Sequence, residues 1–129
     1  MTTTTNNAEI MMGGGKEEKY DPTFSESSAE SLQSWMTAPI DGRLDQIPGV
    51  NFGAKAKLQW VGIDSSFALI GKYLSLKNNK VSMNEHCDRF FHWLKGVGIG
   101  SSNAHTIVKS VGIRSQIQFP GIYDEVRVI

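Results

Sequence analysis

The sequence predicts an all-α domain, and three observations support this prediction. Apolar side chains between residues 28 and 113 recur at intervals of three and four, which is the period of a helix. Residues that cap helices precede these segments, and glycine or proline follows them. The stretch that begins at Gly49 has a second copy that begins at Gly98, and both continue with a β-branched residue and a distal aliphatic residue in register. We therefore expect a compact five-helix domain with helix-hairpin-helix motifs.

The composition divides the chain into three parts. Residues 1–27 are too poor in large apolar side chains to form a core, so we expect a disordered, acidic, low-complexity tail. Two roles are open for this tail, competition with nucleic acid for the basic domain and plain solubilisation, and the second is the commoner. The helical domain should span residues 28–113, followed by an extended apolar C-terminal tail over residues 114–129.

Charge and cysteine content constrain the class of binding partner and the cellular compartment. Net charge is zero overall, but residues 35–118 carry 10 basic and 5 acidic side chains, a balance compatible with phosphate binding. The single cysteine, Cys87, excludes an intramolecular disulfide and fits a reducing compartment. No apolar run is long enough for a secretory signal or a membrane span. We therefore expect a soluble, intracellular protein with no membrane partner.

The first helix should begin around Ser28 and bury Trp35. It should end before Pro39, because the residue ahead of a proline disfavours helical backbone angles. A short helix over residues 43–47 then leads into the first corner of the chain.

The first corner, residues 47–51, has the chemistry of a phosphate-binding turn. A Pro-Gly pair reverses the chain and opens a new helix, so several backbone N–H groups without intrahelical partners point the same way. Those donors and the positive end of the helix dipole can hold a phosphate oxygen. We expect Gly49 to leave room for the phosphate, Val50 to plug the hairpin into the core, and Lys55 and Lys57 to add charge. The alternative is an ordinary pair of helices whose Pro-Gly is only a turn.

The second helix should run over residues 51–61 and stop at Gly62, a favourable C-cap. Trp60 near its end has two interpretations. It could stack on a base, but packing against a neighbouring helix is the more frequent role of such a residue.

The third helix, over residues 65–77, follows the capping signal Asp64-Ser65-Ser66 and is apolar on two sides. One face has Phe67, Ile70, Gly71 and Leu74, and the other has Leu69, Tyr73 and Leu76. Both faces must be covered, and a domain this small has little protein left for the second. We therefore expect a homodimer through this helix, with Gly71 allowing close approach; the alternative is a central helix inside a monomer.

A polar loop over residues 78–83 precedes a helix that Asn84 should cap, and its apolar face has Cys87, Phe90, Phe91 and Leu94. His86, Cys87 and His92 invite a metal interpretation. At ~100° per residue, however, Cys87 and His92 would lie roughly 140° apart around the helix, and no further ligand cluster completes a site. We expect Cys87 to be inert core.

The helix after the second corner has a predicted buried stripe of Ala104, Ile107, Val108 and Val111, which leaves His105 and Lys109 to solvent or phosphate. This second copy fits the hairpin pattern better, because Gly100 stands in place of Asn51 and Ala104 in place of Lys55. The apolar tail beyond it should lie on the domain or on its dimer mate, or serve as a linear motif for another protein.

From Trp35 to about Gly112 the sequence resembles the barrier-to-autointegration factor family, small dimeric chromatin proteins that bind double-stranded DNA without sequence preference. The resemblance lies in Ile47-Pro48-Gly49-Val50, in Lys57-Leu58 followed by Gly62-Ile63-Asp64, in Leu69-Ile70-Gly71-Lys72-Tyr73-Leu74-Ser75-Leu76-Lys77, and in Trp93-Leu94-Lys95. It implies an all-helical, SAM-like fold, phosphate contacts by Gly49 and Lys57, and a dimer interface around Gly71. It also implies one DNA site per subunit, bridging of separate duplexes, and LEM-domain proteins of the nuclear envelope as partners.

The sequence departs from that family at three places. The polar stretch Ser31-Leu32-Gln33 replaces the family's basic residue in the first helix, and the loop over residues 78–84 is longer. Asn103 and Thr106 stand where the family has Lys and Arg. These departures predict DNA affinity that is weaker or lost.

The leading hypothesis is a non-catalytic homodimer that binds double-stranded DNA through hairpin backbone amides and lysines, in nuclear chromatin and with a cytoplasmic pool as a further expectation. The alternative is a protein-interaction module of the same fold that has lost DNA binding. No enzyme, cofactor or metal is expected, because no carboxylate pair, nucleophile with a base, or Gly-rich nucleotide loop occurs at usable spacing. The expected DNA contacts are Gly49, Val50, Asn51, Lys55, Lys57, Gly98, Gly100, Ser101 and His105, and the expected dimer contacts are Ile70, Gly71, Tyr73 and Leu74.

Overall fold

The computed structural model describes residues 18–123, and over that range the chain is helical, with no strand. Five α-helices follow in order: α1 (Ala29–Thr37), α2 (Phe52–Trp60), α3 (Ser66–Ser75), α4 (Met83–Val97) and α5 (Ser101–Gln118). Two 3₁₀ helices, Pro22–Phe24 and Leu44–Gln46, precede α1 and α2. The predicted all-α class is confirmed. None of the described helices is long and apolar enough to cross a membrane.

Side-chain caps fix where four of the helices begin. Helices α1, α2 and α3 begin within one residue of their predicted starts, and their side-chain caps are Ser28, Asn51 and Ser65. The cap of α4 is Ser82 and not Asn84, because the Ser82 hydroxyl accepts a hydrogen bond from the Glu85 N–H. The spacing of Ser82 and Glu85 is that of a capping box, a signal that was present in the sequence.

Helix α5 runs through the centre of the fold, in contact with α1, α3, α4 and the turn Pro22–Phe24. Ten of its residues are buried, in continuous runs instead of one stripe. Its buried hydroxyls bond back to the helix, as Ser110 does to the Thr106 carbonyl at 2.7 Å. The four residues of the predicted stripe, Ala104, Ile107, Val108 and Val111, are all buried, but His105, which was expected to face solvent, is buried as well. The buried surface of the middle of α5 is therefore wider than the predicted stripe.

Trp35 fastens α1 to this central helix and lies in the core as predicted. Its indole N–H donates to the Ser110 carbonyl at 2.7 Å, and its side chain is buried. The Arg114 guanidinium lies 5.3 Å from the indole ring and donates to the Trp35 carbonyl.

Residues 18–27 belong to the folded domain, which corrects the predicted boundary at residue 28. Tyr20 is 3% exposed, its N–H donates to the Asp88 carboxylate at 3.0 Å, and its hydroxyl lies 2.6 Å from that of Tyr123. The average composition of the first 27 residues predicts disorder because it conceals Tyr20, a single aromatic residue whose partners lie far along the chain. The remainder of the predicted tail, residues 1–17, lies outside the described residues.

The end of α5 also corrects a predicted boundary. The helix continues to Gln118, so residues 114–118 are helical and not extended. Beyond it the chain turns back, because the Gln116 side-chain oxygen accepts from the N–H groups of Gly121 and Tyr123 at 2.9 and 3.0 Å. The Tyr123 ring then packs on Gly112. Residues 124–129 of the predicted tail lie outside the described part.

The histidine and cysteine at the start of α4 lie in the core. His86 stacks on Tyr73 with ring centres 4.2 Å apart, and its Nε2 hydrogen-bonds the Tyr73 carbonyl at 2.7 Å. Burial lowers the pKa of His86, and the charges of Lys77 and Arg89 lower it further, which outweighs that hydrogen bond. Cys87 is buried beside it. No group of three His, Cys, Asp or Glu side chains within residues 18–123 is placed to hold a metal ion.

Candidate nucleic-acid interface

The first corner (residues 47–51) folds as a tight turn that opens α2. The Val50 N–H donates to the Ile47 carbonyl at 3.0 Å, and the Asn51 side chain accepts from the Ala54 N–H at 2.8 Å. The N–H groups of residues 52 and 53 meet no acceptor among the described residues, so two open donors remain at the start of α2. Val50 is buried and its N–H is used inside the turn, which removes it from the expected DNA contacts.

Gly49 is required by packing within the protein, which corrects the predicted reason for it. Its φ is 97°, and an added Cβ would lie 2.8 Å from Ile107 Cγ1 and 3.0 Å from the Asn103 carbonyl oxygen. Both neighbours belong to α5, so glycine lets the first corner lie against that helix. On the solvent side the corner borders a groove without lysine, lined by Glu26, Ser27, Ser28, Ser31, Pro48, Gly49, Asn103 and Thr106.

The second corner (residues 98–101) is the more open of the two. The Gly98 N–H donates to the Lys95 carbonyl at 2.9 Å, so Gly98 has no amide left for a phosphate. Gly100 is exposed and begins α5 without a side-chain cap. Over the described range, the N–H groups of residues 100–103 meet no acceptor. Four N–H groups are therefore unpaired at the positive end of the longest described helix.

Lys57 connects the two corners. Its Nζ donates to the Gly98 carbonyl at 2.7 Å. The starts of α2 and α5 thereby border one cleft of about 150 Å³, lined by Asn51, Gly53, Ala54, Lys57, Ile99, Gly100 and Asn103. Because an ammonium group has three N–H donors, Lys57 keeps two for a ligand. Open backbone donors beside a cation form an arrangement that suits an anion.

Lys55, the other expected lysine, lies outside this cleft. Its Nζ is 3.8 Å from the Asp45 carboxylate, which also lies 3.7 Å from the Arg43 guanidinium. Exposed ion pairs of this kind are weak, so Lys55 contributes charge to the surrounding surface and not a contact in the cleft.

Glu18 lies at the edge of the second corner, and nothing in the sequence pattern singled it out. Its carboxylate accepts from the Ser101 hydroxyl at 2.8 Å and lies 3.6 Å from Lys95 Nζ. Burial raises the pKa of Glu18, but its hydrogen bonds to Ser101 and His105 and the charge of Lys95 outweigh this and hold the pKa below its usual value. A phosphate that contacts Ser101 would therefore compete with an ionised carboxylate.

His105 is a core residue, which corrects its assignment to solvent and DNA. It is 1% exposed and stacks on Phe91 with ring centres 4.4 Å apart. Its Nδ1 accepts from the Asp21 N–H at 3.1 Å, which leaves Nε2 to donate to Glu18 at 3.2 Å. His105 therefore holds the N-terminal segment and has no ring nitrogen left for a phosphate.

Two aromatic side chains on α2 are unexpectedly open to solvent. Trp60 is 90% exposed and Phe52 is 88% exposed. The preferred interpretation of Trp60, packing against a neighbouring helix, is therefore wrong for the described chain. The two rings lie at opposite ends of the helix that borders the cleft.

Helix α3 divides its two apolar faces as the sequence predicted. Leu69 and Tyr73 are fully buried on the inner face, so Tyr73, which was also expected among the dimer contacts, belongs to the core and is removed from those contacts. Phe67 and Gly71 are exposed, and Ile70 and Leu74 are half-buried. An apolar groove of about 320 Å³ adjoins this face, lined by Met36, Ile40, Ile70, Arg114, Ser115, Ile117, Gln118 and Phe119.

Comparison of the chain with known protein families, with curated proteins and with solved structures returned no match. The resemblance to the barrier-to-autointegration factor family therefore rests on the motifs quoted above.

Proposed function

We propose that this protein is a non-catalytic, sequence-independent binder of double-stranded DNA, acting as a homodimer. The observation that carries the proposal is the uncapped start of α5 beside Lys57, with the start of α2 on the other side of the same cleft. Backbone N–H donors at a helix start bind phosphate oxygens without reading bases. Of the expected contacts, Asn51, Lys57, Gly100 and Ser101 remain at the centre of the proposed site, with Lys55 at its margin.

Charge supports the proposal over part of the folded domain. Residues 35–118 carry 10 basic and 5 acidic side chains, which attract a phosphate backbone. The described domain as a whole, residues 18–123, carries 11 basic and 9 acidic side chains, because the segment before α1 is acidic. Glu18 opposes phosphate binding locally, because its carboxylate already accepts the hydrogen bond that the Ser101 hydroxyl could donate to a phosphate. Binding that is modest and strongly weakened by salt is the expected result.

Replacing Lys57 by glutamate should weaken duplex binding about tenfold or more at low salt and make its salt dependence shallower, because one cation in contact with phosphate is lost. The measurement is a fluorescence-anisotropy titration of two mixed-sequence duplexes at several salt concentrations. Equal affinity for the two duplexes is expected throughout.

The matched control is Lys80→Glu, which makes the same charge change on an exposed lysine. Lys80 precedes α4, whose 15 residues separate it from the second corner by about 22 Å. Wild-type affinity in Lys57→Glu, or equal losses in both variants, would contradict the proposed site.

The proposed dimer uses the outer face of α3. Phe67 and Gly71 stand exposed there beside half-buried Ile70 and Leu74, and the adjoining groove adds the exposed side chains of Ile117 and Phe119. A contiguous apolar surface of this kind on a small domain is typical of an interface. The partner in this proposal is a second copy of the chain, whose own apolar α3 face would pack against this one.

Gly71→Glu should convert the dimer to a monomer, because no atom lies within 4 Å of an added Cβ in the single chain and the new side chain would project into the interface. Sedimentation equilibrium measures the mass. Gly96→Glu is the control, since Gly96 is also an exposed helical glycine with nothing within 4 Å. A wild-type protein of monomer mass, or a Gly71→Glu variant that stays dimeric, would refute this interface.

The second candidate function is a protein-interaction module of the same fold that does not bind DNA. The Glu18 contact favours it, because an intramolecular carboxylate meets part of the proposed phosphate site. The helix-hairpin-helix detail of the fold belongs to the DNA-binding proposal and rests on the two in-register corners. The SAM-like detail, a place in nuclear chromatin, DNA bridging and LEM-domain partners belong to the same proposal and follow from the resemblance.

A further inference from the structure

The outer face of α2 carries a narrow aromatic ridge, which we define as Phe52, Ala56 and Trp60. The three residues are four positions apart, so at ~100° per residue they lie within roughly 80° around the helix. The buried residues of α2, Ala54 and Leu58, lie on the opposite side. The ridge therefore points straight out to solvent, with its two rings 88% and 90% exposed.

The surroundings of the ridge are cationic. Lys55 and Lys57 project from either flank, each roughly 100° from its centre line. The nine residues of α2 include no acidic side chain, and the nearest described carboxylate to Lys55 is that of Asp45, 3.8 Å from its Nζ. Exposed aromatic rings between cations are the combination that binds unpaired nucleotides, whose bases stack on the rings while their phosphates meet the lysines.

The length of the ridge distinguishes an unpaired strand from a duplex. Phe52 and Trp60 are eight positions apart, a distance of about 12 Å along the helix axis. Successive bases in a duplex rise about 3.4 Å and present only their edges. Two bases that each cover one of these rings must therefore come from a strand that is not continuously stacked.

Self-association through the ridge is disfavoured by the same charges. Two copies that met ridge to ridge would bring Lys55 and Lys57 of each chain against the same lysines of the other. No acidic residue on α2 is available to pair with them.

We infer that the aromatic ridge of α2 binds unpaired DNA, so that the protein prefers DNA with a single-stranded segment over an intact duplex. The inference rests on the proposed function, because the ridge begins at Phe52, next to the cleft proposed for the phosphate backbone. The cleft holds backbone, and the ridge holds bases that have left the stack.

The test is a titration of a mixed-sequence single strand, and in parallel of its duplex, into the wild-type protein and into Trp60→Ala and Phe52→Ala. Each substitution should weaken single-strand binding about 5- to 100-fold, the effect of one lost base stack. Trp60→Ala, at the end of α2 far from the cleft, should change duplex binding less than about twofold. Tryptophan fluorescence should be quenched by the single strand in the wild type and not in Trp60→Ala. Phe24→Ala, which removes an exposed ring outside α2 and outside the proposed dimer face, is the control and should bind the single strand as the wild type does.

The outcomes separate this inference from the proposed function. Single-strand binding that is unchanged in Trp60→Ala and Phe52→Ala, while the duplex still binds, overturns the ridge and leaves the duplex site standing. No binding of the wild type to either DNA overturns both. Binding to phosphatidylserine vesicles that depends on Trp60, without single-strand binding, assigns the ridge to a membrane surface and overturns the inference.

Discussion

Gly49→Ala is expected to lower the free energy of unfolding by about 2–5 kcal/mol, the combined cost of a left-handed alanine and of overpacking. At φ 97° the alanine Cβ would meet the Ile107 side chain at 2.8 Å and two backbone atoms of α5 at 3.0 Å. Backbone of a central helix cannot move aside as a flexible side chain can. The measurement is urea denaturation followed by circular dichroism.

Gly62→Ala separates the two contributions. Gly62 has φ 88°, close to that of Gly49, but no atom lies within 4 Å of an added Cβ. We expect Gly62→Ala to lower the free energy of unfolding by only the cost of a left-handed alanine, about 1–2 kcal/mol. Equal losses at Gly49 and Gly62 would mean that the first corner does not depend on its close approach to α5.

Gly112→Ala should destabilise the protein by about 1–3 kcal/mol, although alanine in a helix normally stabilises it by about 1 kcal/mol over glycine. The added methyl group would lie 2.3 Å from a ring carbon of Tyr123, whose hydroxyl also contacts Tyr20. The ring must leave its position on α5, and the returning C-terminal turn must leave with it. Thermal and urea unfolding measure the loss.

Two comparisons test that explanation. At Gly96 on α4 an added Cβ has no atom within 4 Å, so Gly96→Ala should raise the free energy of unfolding by about 0.5–1 kcal/mol. In a Tyr123→Ala background, Gly112→Ala should change sign and also become stabilising, because the ring it displaces is gone. A loss at Gly112 that persists in this background would show that Tyr123 is not its cause.

The helices could be predicted because their signals are local. Ser28, Asn51 and Ser65 each cap a helix through a backbone N–H only three residues away, so a short stretch of sequence contains the whole interaction. The cap of α4 was misplaced by two residues because Ser82 and Asn84 are both good caps, and only the position of Glu85 distinguishes them.

The errors concern interactions between residues that are distant in the sequence. Tyr20 is buried through contacts with Asp88 and Tyr123, 68 and 103 positions away, which no local pattern reveals. His105 is polar and sits where an amphipathic helix would face solvent, but α5 is covered on every side. The sequence correctly identified Gly49 as a position that requires glycine. The requirement comes from its close approach to α5, at Asn103, 54 residues further along the chain.

The candidate site shows the same division. The two in-register copies predicted that two similar corners exist, and the contact of Lys57 with Gly98 brings them to one cleft. The sequence pattern could not show which backbone N–H groups stay unpaired. Those of Val50 and Gly98 donate to the nearby carbonyls of Ile47 and Lys95. The exposed ring of Phe52 was not predicted, and an exposed Trp60 was the less favoured of its two interpretations, since apolar residues on a helix usually indicate a packed face.

The hydroxyl pair of Tyr20 and Tyr123 joins two segments that are 103 positions apart, with all five helices between them. Each of the two tyrosines also contacts α5, Tyr20 beside the His105 ring and Tyr123 on Gly112. Unfolding of either segment therefore removes a buried partner from the other, so the two ends of the described domain should open together.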